Sequence, residues 1–161
     1  MNDIHSSFIG PGGTWSEIRV IPDENRPVRP ALFLDRDGTI VEEVLYLHRP
    51  SEMTLIPGAA ETIITANTKN VPVIIVTNQA GIGRGYYGWD DFAAVQACMM
   101  EELIGLGAHI DAVFACPFHS NGKGPFIHPD HPDRKPNAGM LFKAAKRLHI
   151  DLTRSWIAGD R

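Results

Sequence analysis

The sequence has little cysteine, no large excess of charge of one sign and no long apolar run, and each shortage excludes a class of protein. Two cysteines among 161 residues are too few for a disulfide scaffold and predict a reducing compartment, the cytoplasm. Fifteen Lys and Arg against 19 Asp and Glu leave a net charge of −4, so no overall basic field attracts nucleic acid or an anionic membrane. No apolar run reaches the roughly 18 residues of a membrane span. Residues 1–15 lack the basic segment and apolar core of a signal peptide.

What the sequence does contain is the composition of an ordinary globular protein. Apolar residues make up 43% and charged residues 21%, which excludes a disordered chain, a fibrous repeat and a coiled coil. A chain of this length fits one domain that buries roughly 70% of its unfolded surface, so it needs no disulfide or metal to fold. Residues 1–30 contain four prolines and three glycines without a sustained period, and we predict an irregular N-terminal extension there. Residues 31–161 are predicted to form the domain, and we expect a monomer.

From residue 31 onward, short apolar runs alternate with helical patterns. The apolar runs predict buried strands at 31–34, 71–76, 110–116 and 155–158. Segment 58–69 and the apolar stripes within 92–106 and 140–148 predict helices, the last with Asn137 as its N-cap. Strands that alternate with helices predict an α/β fold with a mostly parallel sheet and helices on both faces. Such sheets bind ligands beyond the carboxyl ends of their strands.

Two carboxylates follow the first predicted strand directly. Asp35 and Asp37 point to the same side of an extended segment, and Gly38 lets the chain turn sharply behind them. Like charges this close repel each other unless a cation neutralises them or one is protonated. A pair of carboxylates placed in this way suits a site in which one acts as the nucleophile and the other as the general acid, with Mg²⁺ between them. A solvated turn is the alternative interpretation, because Asp and Gly are common turn residues.

Further polar residues stand at the other predicted strand ends and before the last helix. Thr77 ends the second strand, and its hydroxyl can hydrogen-bond a phosphoryl oxygen. Lys135 can neutralise charge on a phosphoryl group, and Arg134 can bind a second oxyanion in a bidentate manner. Asp160 follows the fourth strand and can complete a Mg²⁺ site with Asp35. Taken singly, Arg134 and Lys135 could also be exposed surface cations, and Thr77 and Asp160 could simply begin a loop or a turn.

The ordered set of motifs resembles the haloacid dehalogenase (HAD) superfamily of phosphohydrolases over residues 31–161. The set comprises Asp-x-Asp-Gly-Thr, a strand ending in Thr, Lys-Pro before a helix, and a strand ending in Gly-Asp. The resemblance implies a Rossmann-like HAD fold without a large cap domain, and a Mg²⁺-dependent phosphatase with a phosphoaspartyl intermediate. It implies Asp35 as nucleophile and Asp37 as general acid and base. Thr77 and Lys135 would stabilise the phosphoryl group. The implied Mg²⁺ ligands are Asp35, the carbonyl of Asp37 and Asp160.

Longer matches are similar to the D-glycero-D-manno-heptose 1,7-bisphosphate phosphatases, with the histidinol-phosphate phosphatases as the alternative. They are LDRDGTI at 34–40, VTNQAGIGRG at 76–85 and RKPNAGML at 134–141. The heptose enzymes make a precursor of lipopolysaccharide or surface-layer glycans in the bacterial cytoplasm. The substrate implied here is therefore a small phosphorylated metabolite. The resemblance implies further substrate contacts at Glu43, Tyr46, Asn78, Gln79 and Arg134, the last with the sugar or its second phosphate.

The loop after the third predicted strand departs from the family pattern. Family members carry Cys-x-His and later Cys-x-Cys around a structural zinc ion, whereas this chain has a Cys-Pro-Phe-His run and then His-Pro-Asp. A CysHis₃ zinc site is chemically acceptable for this loop, and a metal-free loop is the alternative. The candidate zinc ligands are Cys116, His119, His128 and His131.

The sequence also ends earlier than the family pattern. Family members continue after Gly-Asp with another acidic residue, a helix and a fifth strand, whereas this chain stops at Arg161. A bare sheet edge would expose apolar surface, so we expect the C-terminal part of the domain to be missing from this sequence.

Two other classes share some of the motifs: a phospho-accepting receiver module and a catalytically inert phosphate-binding module. Receivers lack an acid two residues after the phosphoacceptor, which disfavours the first of them.

Overall fold

Three of the four predicted apolar runs form the centre of a five-stranded sheet in the computed structural model, which describes residues 5–21 and 23–160. The fourth run forms an edge strand at 156–158 whose three residues are exposed, so the prediction that it is buried is wrong. The strands are β1 (Trp15–Ile18), β2 (Leu32–Leu34), β3 (Val73–Asn78), β4 (Ala112–Cys116) and β5 (Trp156–Ala158). They lie in the order β1-β4-β3-β2-β5. Strands β2, β3, β4 and β5 are parallel to one another, whereas β1 pairs with β4 in the antiparallel direction. The predicted mostly parallel sheet is confirmed.

Helices follow the strands in the alternation that the sequence predicts. The helices are α1 (Ala59–Thr68), α2 (Ala80–Gly83), α3 (Trp89–Gly105) and α4 (Gly139–Leu148), and short 3-10 turns lie at Ser6–Phe8, Pro50–Glu52, Gly124–Phe126 and Leu152–Arg154. The three predicted helices are confirmed, and α2 was not predicted. The predicted N-cap is wrong, because Ala138 occupies that position. The side-chain amide of Asn137 instead donates to Asp130 and to the carbonyl of His131.

Side chains alternate across the strands, so the sheet contributes to a core on each face. Leu34 and Ile75 pack in the core that α1 and α3 cover. Phe33, Ile74 and Phe114 pack in the core that α4 covers. Alternation of this kind follows from the two-residue period of a strand, and it confirms helices on both faces of the sheet.

The N-terminal stretch differs from its prediction. Residues 1–30 were expected to be irregular, but four of them form β1 at the edge of the sheet, so for these four the prediction is wrong. Trp15 is 2% exposed, and its ring lies 5.4 Å from that of Trp89 and 5.2 Å from that of Phe92. Four residues are too few to show a period, and this strand depends on pairing with β4. Residues 1–4 and 22 of the stretch lie outside the described residues, and a domain boundary at residue 31 stays a prediction.

The register of the strands brings their carboxyl ends together at one edge of the sheet. Leu34 lies opposite Ile75 on one side and Ala158 on the other. The backbone N–H of Asp35 donates to the carbonyl of Ala158 at 3.0 Å, so the residues after β2 and β5 are neighbours. Between residues 38 and 58 the chain forms only a 3-10 turn and isolated bridges, which agrees with the expected absence of a large cap. No helix in the described part of the chain has the length and apolar character needed to cross a membrane.

Candidate active site

A cavity of about 600 Å³ opens at the carboxyl ends of β2, β3 and β5. Its wall contains nine of the residues that the sequence singled out for catalysis, substrate binding or magnesium: Asp35, Asp37, Glu43, Tyr46, Asn78, Gln79, Arg134, Lys135 and Asp160. Thr77 is not part of the wall. The tertiary structure therefore gathers residues from distant parts of the sequence around one space.

Asp35 is held through both oxygens at the floor of this cavity. The ammonium of Lys135 lies 2.8 Å from its Oδ2, and the backbone N–H of Arg36 donates to its Oδ1 at 2.8 Å. The Asp35 side chain is 16% exposed and that of Lys135 22%. The pair is therefore partly shielded from water but still open to the cavity, where a cation beside a carboxylate can compensate the charge of a bound anion.

Asn78 fixes the backbone of Lys135. Its side-chain amide donates to the carbonyl of Lys135 at 3.1 Å, and its Oδ1 accepts from the N–H of Lys135 at 2.9 Å. These two hydrogen bonds tie the loop before α4 to the end of β3, although 57 residues separate the two positions. Asn78 was expected to contact substrate, and the structure gives it this positioning role at the cavity wall.

Asp37 is held by two donors that are themselves buried. The guanidinium of Arg36 lies 3.1 Å from its Oδ1, and the side-chain amide of Gln79 donates to its Oδ2 at 3.0 Å. Arg36 is fully buried and Gln79 is 2% exposed, whereas the Asp37 side chain keeps 21% of its surface accessible. Asp37 thus presents a carboxyl group to the cavity from a fixed support.

Gln79 also covers Thr77. Its amide donates to the Thr77 hydroxyl at 2.9 Å, and Thr77 is 1% exposed. The structure therefore places Gln79 between the two side chains, as a link and not only as a substrate contact. The role in phosphoryl stabilisation that the family resemblance implied for Thr77 stays a prediction.

Asp160 approaches the turn after Asp37 very closely. Gly38 has a φ of +78°, and a Cβ at this position would clash with Oδ2 of Asp160. A side chain at Gly38 would therefore strain the backbone and push Asp160 away. The glycine allows the Asp160 carboxylate to lie beside the segment that carries Asp35 and Asp37.

Sequence reasoning missed Arg84 and gave His119 a different role. Arg84 donates to the hydroxyl of Tyr46 at 3.1 Å, and its Nη2 lies 3.5 Å from Nε2 of His119. Its Nε is buried and has no hydrogen-bond partner within the described residues. Burial lowers the pKa of His119, and the guanidinium groups of Arg134 and Arg84 lower it further. The glycine-rich run around Arg84 was the signal that could have revealed it.

The four candidate zinc ligands are not brought together by the described part of the chain. Within residues 5–21 and 23–160, no group of three or more His, Cys, Asp or Glu residues could hold a metal ion. His131 stacks on the ring of Phe118 at 3.9 Å, and its Nδ1 accepts from the backbone N–H of Asp133 at 3.0 Å. His128 accepts from the N–H of Asp130 in the same way, at 3.1 Å.

The remaining candidate ligands also lack the properties of a zinc site. Cys116 is fully buried in β4, where it packs among the apolar residues that α4 covers. His119 lies in the cavity wall, unlike the other three residues. The structure therefore does not support a zinc site in this loop, which is held by aromatic stacking and backbone hydrogen bonds.

Comparison with known proteins yields several curated relatives, although no protein-family model matches the chain. The D-glycero-beta-D-manno-heptose-1,7-bisphosphate 7-phosphatase of Mesorhizobium japonicum is 51% identical over 152 residues, which cover 92% of this chain and 68% of the relative. The phosphatase of the same name from Pasteurella multocida is 37% identical over 134 residues, covering 83% of this chain and 72% of the relative.

Solved structures of phosphatases are also similar to this chain. A HAD-like phosphatase from Mesorhizobium loti superposes with a TM-score of 0.90 and 48% identity, over 96% of this chain and 73% of the other. The D,D-heptose 1,7-bisphosphate phosphatase from B. bronchiseptica, solved with magnesium and phosphate, superposes with a TM-score of 0.71 and 30% identity, over 81% of this chain and 70% of the other.

The parallel sheet, the acidic residues at its carboxyl edge and these similarities together define a HAD-like phosphatase, an enzyme that hydrolyses phosphoric monoesters. The resemblance inferred from the motifs is thereby confirmed. The chain belongs to the D-glycero-D-manno-heptose 1,7-bisphosphate 7-phosphatase family.

Proposed function

We propose that this enzyme removes one phosphate from D-glycero-D-manno-heptose 1,7-bisphosphate through a phosphoaspartyl intermediate on Asp35, with Mg²⁺ as cofactor. The observation that carries the proposal is the position of Lys135, whose ammonium lies 2.8 Å from Asp35 at the edge of the cavity. The relatives named for this substrate support the choice of sugar. A monomer in the cytoplasm, without nucleic-acid or membrane partners, completes the proposal.

The first chemical step would transfer the phosphoryl group to Asp35. A carboxylate oxygen of Asp35 attacks phosphorus, the P–O bond to the sugar breaks, and Asp37 gives a proton to the departing oxygen. Lys135 compensates the negative charge on the phosphoryl oxygens during this transfer. In the second step Asp37 takes a proton from water, which attacks the phosphoaspartate, releases phosphate and restores the Asp35 carboxylate.

Two carboxylates and one backbone carbonyl at this edge of the sheet are oxygen donors of the kind that Mg²⁺ prefers. Because the described residues group no three acidic, His or Cys side chains here, the phosphate and water would supply the other ligands. The residues that would hold it are Asp35, Asp160 and, through its backbone carbonyl, Asp37. The close approach of Asp160 to Gly38 supports this grouping. When bound, Mg²⁺ neutralises charge on the transferring phosphoryl group and reduces its repulsion from the attacking carboxylate.

Two guanidinium groups in the cavity wall favour a substrate with a second phosphate. Arg84 and Arg134 both face His119 closely enough to lower its pKa, and Arg134 is anchored to the carbonyl of Phe118 at 3.2 Å. A cationic wall binds a second phosphate through charge-assisted hydrogen bonds. Histidinol phosphate carries a cationic amine that this wall disfavours. Glu43, in the same wall, is the feature that favours this second candidate substrate.

The proposal is tested by measuring phosphate release from heptose bisphosphate and from histidinol phosphate, each with Mg²⁺ and with excess chelator. We expect Mg²⁺-dependent turnover with a preference for the bisphosphate. Faster turnover of histidinol phosphate would transfer the assignment to that substrate. Undiminished rates in chelator would contradict the role of the metal, and no release from either substrate would contradict the proposed function.

A further inference from the structure

A fully buried arginine stands between the two aspartates of the site. Arg36 is 0% exposed, and a buried charge is costly unless it is paired and hydrogen-bonded. Its Nε and Nη2 donate to Asp37 at 3.2 and 3.1 Å, and its guanidinium carbon lies 5.2 Å from the centre of the Phe92 ring. The Arg36 side chain therefore acts inside the protein, behind Asp37.

One chain of contacts runs from helix α3 through Arg36 to Asp37. The side-chain carbonyl of Gln96 accepts from Nη1 of Arg36 at 3.2 Å. Gln96 is 4% exposed, and neither Gln96 nor Arg36 lines the cavity. The contribution of Gln96 to the site therefore passes through the guanidinium group.

A second chain of contacts reaches Asp37 from Tyr87, which lies two residues before helix α3. The hydroxyl of Tyr87 donates to the side-chain carbonyl of Gln79 at 2.5 Å, and the amide of Gln79 donates to Oδ2 of Asp37 at 3.0 Å. Burial raises the pKa of Tyr87, so this hydroxyl keeps its proton. The two chains also meet directly, because Nη2 of Arg36 lies 3.4 Å from Oε1 of Gln79.

We propose that Gln96 and Tyr87 are positioning residues, which hold the Asp37 carboxyl, through Arg36 and Gln79, in the orientation that proton transfer to the leaving oxygen requires. The inference rests on the proposed function, since it assigns a support to the acid of that reaction. Hydrogen bonds to both carboxylate oxygens of Asp37 restrict its rotation, and supports of this kind keep a reacting group in its productive geometry. Tyr87 borders the cavity, but its hydroxyl proton is used in the bond to Gln79, so its assigned role is to position Asp37 and not to transfer the proton.

The leaving group separates a positioning role from a merely structural one. A sugar alkoxide is a poor leaving group and needs the proton, whereas p-nitrophenolate is stable without it. The ratio kcat/KM reports the reaction up to departure of the leaving group. A misoriented Asp37 should therefore reduce kcat/KM for the sugar phosphate far more than for p-nitrophenyl phosphate.

The experiment compares the wild-type chain with Gln96→Met, Gln96→Glu and Tyr87→Phe on both substrates. Gln96→Met keeps a side chain of similar shape but removes the carbonyl oxygen that accepts from Arg36. We expect kcat/KM to fall roughly tenfold for the sugar phosphate but less than about threefold for p-nitrophenyl phosphate. Gln96→Glu keeps an acceptor for Arg36 and should recover most of the loss. Tyr87→Phe should show the same selectivity. Leu103→Val, a buried change two turns along α3, should lower Tm without altering the ratio between substrates.

Each outcome decides the inference. An equal loss on both substrates, or no loss in either positioning variant, overturns it while leaving the phosphatase proposal intact. If Gln96→Met fails to fold, Tyr87→Phe decides alone, because it removes one oxygen atom and leaves the ring in place. An inactive wild-type chain overturns the proposed function, and the acid role of Asp37 with it.

Discussion

The hydroxyl of Thr14 donates a hydrogen bond of 2.6 Å to Oδ2 of Asp133, and so joins two segments that lie 119 residues apart. Both residues are buried, with 1% and 3% exposure. Asp133 also forms an ion pair with Lys143 of α4, and it directly precedes Arg134 and Lys135. The N-terminal segment thus helps to fix the part of the chain that brings Lys135 to Asp35.

Removing the Asp133 carboxylate should therefore lower both stability and turnover. Asp133→Ala leaves the Thr14 hydroxyl without its buried acceptor, and we expect a loss of about 2 kcal/mol in the free energy of unfolding. Urea denaturation measures this change. Thr14→Val, which removes a single donor, should cost about 1 kcal/mol and serves as the graded control. A change below about 0.5 kcal/mol in Asp133→Ala would show that the contact does not anchor the loop.

Asp35→Asn should abolish phosphate release while leaving the fold unchanged. The amide oxygen can still accept from the N–H of Arg36, but the neutral amide is no nucleophile. Circular dichroism and thermal unfolding would report the fold. Asp90→Asn, an exposed change in the first turn of α3, is the matched control with full activity. Turnover at the wild-type rate in Asp35→Asn would exclude the phosphoaspartyl mechanism.

Lys135→Met should reduce kcat by roughly 10²- to 10³-fold, because the cation beside Asp35 is lost. The methionine fills similar space, and Asn78 still binds the backbone at this position, so Tm should hardly change. Steady-state kinetics at saturating substrate measures the loss. An unchanged kcat with a raised KM would assign Lys135 to substrate binding alone.

Arg84→Met should raise KM for the heptose bisphosphate about tenfold and change KM for p-nitrophenyl phosphate little. The reason is that Arg84 would bind only the phosphate that p-nitrophenyl phosphate lacks. Arg147→Met, at an exposed position of α4, controls for the loss of a positive charge. Equal increases in KM for both substrates would place Arg84 at the reacting phosphate instead.

Stability should fall as the pH is lowered below the ordinary histidine pKa of 6.5. Burial lowers the pKa of His119 and His131 below that value, so the unfolded chain binds protons before the folded chain does, and protonation favours unfolding. The charged neighbours of His131 are Asp133, which opposes the shift, and His128 and Lys143, which add to it.

Urea unfolding at about pH 7.5 and pH 5.5 tests whether the free energy of unfolding is smaller at the lower pH, as expected. In His131→Asn the side-chain oxygen can still accept from the N–H of Asp133, but the side chain no longer titrates. This variant should lose less stability between the two pH values than the wild type. An equal loss in both proteins would show that His131 does not contribute.

The chemistry at the strand ends could be predicted from the sequence because its signals are local. Asp35 and Asp37 follow an apolar run within three residues, and the carboxyl ends of parallel strands meet at one edge whatever the details of packing. The helices α1, α3 and α4 show apolar periods over ten residues or more, long enough to identify their type.

The errors arose where contacts between distant segments decide the structure. Strand β1 has four residues and exists because it pairs with β4, and no local pattern announces it. The zinc prediction relied on spacing alone, whereas metal binding depends on where four side chains meet in space. Around His131, stacking on Phe118 and the N–H of Asp133 occupy the side chain instead.

By itself, the sequence determined the α/β class, the family and which polar residues stand at the strand ends, since these depend on residue type, short-range order and strand direction. Tertiary structure alone decided which groups support them. No sequence pattern singled out Arg36, yet its complete burial makes it the link between Gln96 and Asp37. Burial and orientation are properties of the packed chain, because they depend on side chains up to 60 residues away.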